Sequence, residues 1–91
     1  MKTVRLLIRG RVQGVGYRAW ALATATRLGL RGWVRNRADG SVEMRVSGTD
    51  DAVAAMIEAC GRGPRGALVG EIRAADDEDE GSCGFVVRPI E

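Results

Sequence analysis

Between Gly10 and Arg18 the chain reads GRVQGVGYR, with three glycines inside seven positions. Upstream, Val4, Leu6 and Ile8 alternate with Arg5 and Arg9, interrupted only by Leu7, so Thr3 to Arg9 reads as a strand with one buried face. Downstream, Ala21, Leu22, Ala25 and Leu28 recur at three- and four-residue spacing, which predicts a helix from about Val15 to Leu28, closed by Gly29 in a left-handed cap. A strand that passes through such a turn into a helix leaves few architectures open. The glycines let the backbone curl so that consecutive N–H groups point at one anion, and the turn ends on an arginine where the helix begins.

The remaining elements narrow the choice further. Gly32 to Arg37 and Ser41 to Ser47 are short β-prone runs, the second alternating Val42, Met44 and Val46 with Glu43, Arg45 and Ser47. Asp39-Gly40 between them is a tight-turn signal, so the two are expected to pair as a hairpin. Thr49 is placed to cap a second helix, Asp50 and Asp51 suit its positive end, and Val53, Met56, Ile57 and Cys60 form an apolar stripe. Gly61 to Pro64 breaks that helix, and strands follow at Ala67 to Ala75 and Gly84 to Arg88. The order is β-α-β-β-α-β-β. Two one-sided helices and a one-sided sheet are satisfied together when both helices pack on the same sheet face. The expected fold is therefore α+β, a ferredoxin-like sandwich with a βαββαβ core, a fifth strand and a mostly antiparallel sheet. Right-handed crossovers make its first strand central.

Ninety-one residues suffice for one domain over residues 1–91. Cys60 and Cys83 are too few for a disulfide framework and show no metal-ligand spacing, which favours a reducing compartment. Met1 to Arg9 mixes apolar and basic residues instead of forming a leader-like apolar stretch, and no segment approaches a membrane span. A cytoplasmic protein is expected. The net charge of +2 conceals an acidic run from Asp76 to Glu80, expected to be a solvated loop, beside a basic remainder. Arg9, Arg11, Arg31, Arg35 and Arg37 lie near the glycine turn or the next apolar segment, a field that would draw small anions.

The turn's omissions restrict its chemistry. A nucleotide-binding G-x-x-x-x-G-K-[ST] loop needs a lysine, and the chain has only Lys2. A dinucleotide G-x-G-x-x-G fingerprint does not fit glycines at 10, 14 and 16. In a cysteine phosphatase loop, C-x-x-x-x-x-R, the nucleophile stands six residues before the arginine; here that residue is Val12, and no Ser, Thr or Cys occurs between Gly10 and Arg18. The chain has no histidine, and no carboxylate falls within ten residues of the turn on either side. If phosphoryl transfer takes place, water attacks directly and the leaving group departs without a proton. An acyl phosphate meets that condition, since its leaving group is a carboxylate, whereas a phosphate monoester does not.

GRVQGVGYR is followed by Ala25-x-x-Leu28-Gly29-Leu30, Gly32-Trp33-Val34-Arg35-Asn36, Asp39-Gly40-Ser41-Val42-Glu43, and Gly63-Pro64 with Ala67-x-Val69. In this order the motifs resemble the acylphosphatase family along nearly the whole chain. The resemblance implies hydrolysis of a carboxylic–phosphoric anhydride to carboxylate and inorganic phosphate, with no metal and no organic cofactor. It implies phosphate binding by Arg18 and by the backbone amides of Val12, Gln13, Gly14, Val15, Gly16 and Tyr17, with water positioned by Asn36. Tyr17 stands where the family often has phenylalanine, and its ring is expected beneath the turn. The residue chemistry agrees: Arg18 offers a planar fork to two phosphate oxygens, and Asn36 can orient water without taking its proton.

The implied partners are a small acyl phosphate, and inorganic phosphate or sulfate as competing anions; a monomer is expected, acting on neither nucleic acid nor membrane. The RNA-binding variant of this topology displays aromatics on its open sheet face, and neither Thr3 to Arg9 nor Ser41 to Ser47 contains one. Trp33 is expected to fill core or rim and Trp20 to be partly exposed, neither with a catalytic role.

Overall fold

The computed structural model describes residues 1–91, and its chain order matches the alternation in the sequence. β1 (Lys2–Arg11), α1 (Tyr17–Arg27), β2 (Arg31–Asn36), β3 (Val42–Gly48), α2 (Asp50–Arg62), β4 (Leu68–Asp76) and β5 (Phe85–Val87) form one five-stranded sheet backed by two helices. The strand order is β4-β1-β3-β2-β5, with every pairing antiparallel except β2 with β5. This is the ferredoxin-like α+β arrangement. β1 is an inner strand, but β3 holds the middle position, because the added fifth strand extends the sheet beyond β2.

Period-two alternation places Val4, Leu6 and Ile8 of β1 beside Val42, Met44 and Val46 of β3, and all six are buried under the helices. Full burial of each is worth about 1.5–3 kcal/mol against exposure. α2 contributes Val53, Met56 and Cys60 to this layer, and its N-terminus is held by Thr49, whose hydroxyl accepts from the Ala52 N–H at 3.1 Å. Ala59 is buried beside them, while Ile57 of the expected stripe is only half-buried.

α1 departs more from its expected stripe: Tyr17, Ala21, Thr24 and Ala25 are buried, whereas Leu22 and Leu28 are half-buried. The small side chains set the face that packs over β2 and β5, and Leu22 is left beside it. Gly29 N–H donates to the Thr26 carbonyl and Leu30 N–H to the Ala25 carbonyl, at 3.1 and 2.9 Å, which closes α1 in a Schellman motif. No helix is long and apolar enough to cross a membrane.

The sheet's other face is covered by ions instead of helices. Glu43, on the polar side of β3's alternation, is only 3% exposed. Arg5, Arg35 and Arg37 donate to its carboxylate at 3.3, 2.8 and 3.2 Å, so three guanidiniums both neutralise and cover it. Trp33 fills this face and not the apolar core, with the guanidiniums of Arg35, Arg45 and Arg88 at 4.8, 5.6 and 4.8 Å from its ring. The acidic run differs from a free solvated loop. Asp77 accepts from Arg45 at 3.0 Å, Asp79 from Arg31 at 2.7 Å, and Glu80 also pairs with Arg45. The run is tied to the sheet's arginines by opposite charge.

A candidate active site at the first turn

At the end of β1 the register shifts between Arg9 and Gly10, and a Cβ on Gly10 would collide with the Leu68 carbonyl of β4. The first glycine therefore serves close strand packing, and the curl falls to the other two. Gly14 and Gly16 have φ of 76° and 78°, and Gly16 is the N-cap of α1.

No backbone N–H from Val12 through Ala19 donates to any group of the chain; the first that does is Trp20, to the Gly16 carbonyl at 3.0 Å. An α-helix leaves only the donors of its first turn open, and Val12 and Tyr17 of this run are buried while Gly14, Gly16 and Ala19 are exposed. Here five loop donors add to that turn, at the helix end that carries positive partial charge. The run includes every loop residue expected to bind phosphate: Val12, Gln13, Gly14, Val15, Gly16 and Tyr17.

A cavity of about 380 Å³ opens at this turn. Gln13, Gly14, Gly16, Arg18 and Asn36 form its polar lining, and Val12, Tyr17, Ala19, Leu22 and Val87 its apolar lining. Arg18 and Asn36, eighteen residues apart in sequence, thus face one cavity. Val15 does not line it; its side chain packs against the core. Arg18 is half-buried and makes no ion pair or hydrogen bond within the chain, leaving its whole fork of donors open. Of the five arginines expected to make a field, Arg9, Arg31, Arg35 and Arg37 are held by Asp39, Asp79, Glu43 and Glu91, while Arg11 is exposed and has no ion pair. Asn36 presents a buried Oδ1 with no hydrogen-bond partner. A buried acceptor left open costs about 1–3 kcal/mol, which a bound water would offset.

Two side chains fix the turn. Tyr17 is buried, its hydroxyl donates to the Cys60 carbonyl at 2.7 Å, and its ring meets Trp20 edge-on at 5.2 Å. The ring lies against the C-terminal end of α2 and anchors the turn from below. Burial raises the phenol above its ordinary pKa and pushes the Cys60 thiol up to about 11.

Gln13 is the positioning residue that sequence reasoning missed, having been assigned only a backbone amide. Its Nε2 donates to the carbonyls of Arg37 and Ser41 at 2.8 and 2.9 Å, tying the turn to the chain just after Asn36. A long amide side chain between two glycine-flanked segments was the only sequence signal. Gln13→Ala is expected to lower stability in urea unfolding by about 1–2 kcal/mol, from two lost hydrogen bonds, and to lower turnover by loosening the turn against Asn36.

A family model described as Acylphosphatase matches residues 4–87. A protein of Rhodospirillum rubrum named acylphosphatase is 48% identical over 89 residues, which are 98% of this chain and 98% of that protein. The crystal structure of acylphosphatase from Bacillus subtilis aligns with a TM-score of 0.94 at 35% identity, covering 97% of this chain and 99% of that one. Full-length HypF shares the fold at a TM-score of 0.90 and 24% identity, where the match spans 98% of this chain but 12% of the larger one. In family model, sequence relatives and fold alike, the chain belongs to the acylphosphatase family, hydrolases of acyl phosphates.

Proposed function

We propose that the cavity hydrolyses the carboxyl–phosphate bond by direct attack of water, with no cofactor, in a single monomeric domain acting in the cytoplasm. Arg18 and the free amides of Val12 to Tyr17 hold the phosphoryl oxygens, and Asn36 orients the water. The observation that carries this reading is that one cavity is lined both by Arg18, which has no partner in the chain, and by Asn36, whose amide oxygen has none either.

Charge spreads over the phosphoryl oxygens in a loose transition state, and preorganised donors are worth most where that charge develops. The amide run and the Arg18 fork supply such donors with little reorganisation. Asn36 accepts a hydrogen bond from the water and leaves its proton to a phosphoryl oxygen, while the carboxylate departs unprotonated. One anion fills the donor set, so inorganic phosphate or sulfate competes with substrate.

Phosphate release from acetyl phosphate, set against a phosphate monoester, tests the reaction. Rapid release from the acyl phosphate alone is expected, and release from the monoester alone would overturn the proposal. The pH profile is a second test. No histidine or carboxylate lines the cavity, and its phenol is raised by burial, so turnover should stay nearly constant from about pH 5 to 8. Stability should follow the same course. Asp39 is held below the usual carboxylate range by the Ser41 hydroxyl and N–H, Asp77 by the Glu78 N–H and Arg45, and Asp79 by the Gly81 N–H and Arg31. Carboxylates with lowered folded pKa values stabilise fully above their ordinary value of about 4, and that contribution fades only on further acidification. A steep bell between pH 5 and 8 would reveal an acid–base pair in the reaction.

A further inference from the structure

The cavity is larger than a phosphoryl group fills, and its two halves differ in chemistry. Every polar side chain in its lining comes from the turn, the start of α1 or the end of β2, while Ala19, Leu22 and Val87 make an apolar wall. Leu22 stands four residues after Arg18 on α1, so it shares that helix face one turn farther along. Val87 of β5 pairs in register with Val34, two residues before Asn36 on β2, which brings it to the same side of the sheet. Val87 is 41% exposed, Leu22 half-buried and Ala19 exposed, so the wall is open to a ligand. Arg18 is the only charged residue of the lining.

We propose that Ala19, Leu22 and Val87 form the subsite for the acyl group, and that this wall selects apolar acyl chains over chains that carry a second negative charge. The inference rests on the acyl phosphate reading and adds the substrate class to it. An alkyl chain laid along the wall leaves water on both sides of the contact. A full burial is worth roughly fourfold in affinity per methylene, and an open wall gives part of that. A carboxylate in the same place loses water and finds no cation, since Arg18 is committed to the phosphoryl oxygens.

The test compares kcat/KM for acetyl phosphate, hexanoyl phosphate and the monophosphate of adipic acid, whose leaving carboxylates have similar acidity. The unmodified protein should prefer hexanoyl to acetyl phosphate by about tenfold and hexanoyl to the carboxylated chain by a similar factor, from four partly buried methylenes and one uncompensated charge. Val87→Thr, nearly the same shape, should reduce the first ratio about threefold, and Val87→Lys should invert the second. Inhibition by inorganic phosphate that is unchanged in Val87→Thr and not weakened in Val87→Lys marks an intact turn. A hexanoyl to acetyl ratio within about twofold of unity, or a Val87→Lys ratio equal to that of the parent, would overturn the subsite. Failure to release phosphate from any of the three overturns the acyl phosphate reading itself, and the subsite with it.

Discussion

Arg18→Ala is expected to lower kcat/KM by about 10²–10³ and to remove inhibition by inorganic phosphate, while the protein becomes slightly more stable. The first two losses share a cause. Arg18 supplies the one side-chain fork in a cavity whose remaining donors are neutral, and a preorganised donor aimed at developing charge is worth about 3–4 kcal/mol. The gain in stability has a separate origin. Arg18 is the second residue of α1, where a cation opposes the helix dipole, and it has no carboxylate partner to relieve that conflict. Alanine removes the conflict and favours the helix, for roughly 0.3–1 kcal/mol together. Isothermal titration with phosphate, initial rates and urea unfolding measure the three effects. Arg18→Lys keeps the charge without the fork and should fall between parent and alanine. Phosphate inhibition that survives Arg18→Ala would show that the amides alone hold the anion.

Asn36→Ala should separate what Arg18→Ala joins. Its expected loss is in kcat, by about 10²-fold, the scale of misplacing a reacting group, with inhibition by phosphate retained. The reason lies in the buried Oδ1, which has no partner in the protein and so contributes nothing to the fold that alanine would forfeit. The Asn36 backbone is held independently, its carbonyl accepting from the Glu91 N–H at 3.1 Å and its strand pairing with Val42. Unfolding free energy should therefore change little. A variant that loses phosphate affinity and keeps its kcat would exchange the roles assigned to Asn36 and Arg18.

The alternation in β1 and β3, the Asp39-Gly40 turn and the Thr49 cap were legible because each is a local rule written in a few neighbouring residues. So was the curled glycine turn between β1 and α1, whose missing nucleophile, lysine and histidine were as informative as its glycines. Packing set the remainder. The buried face of α1 is chosen by how closely a helix of alanines and threonines can approach β2 and β5, which helical spacing alone does not specify. Glu43 reads as a solvent residue until strand register places Arg35 opposite it and the fold brings Arg5 and Arg37 to its carboxylate. The same register carries Trp33 to the ionic face. In the candidate site, the side-chain role of Gln13 is not legible in the sequence because its partners, Arg37 and Ser41, lie 24 and 28 residues away.

The open amides from Val12 to Ala19 have a thermodynamic counterpart. An anion that binds only the curled turn must, by linkage, favour the folded chain over the unfolded one, by about 2.7 kcal/mol at a hundred times its dissociation constant. Small folds usually have margins of only about 5–15 kcal/mol, so a product anion bound there would supply roughly a fifth to a half as much again. Resistance to unfolding is then partly a property of the phosphate concentration around the molecule, and it is greatest where the reaction product accumulates.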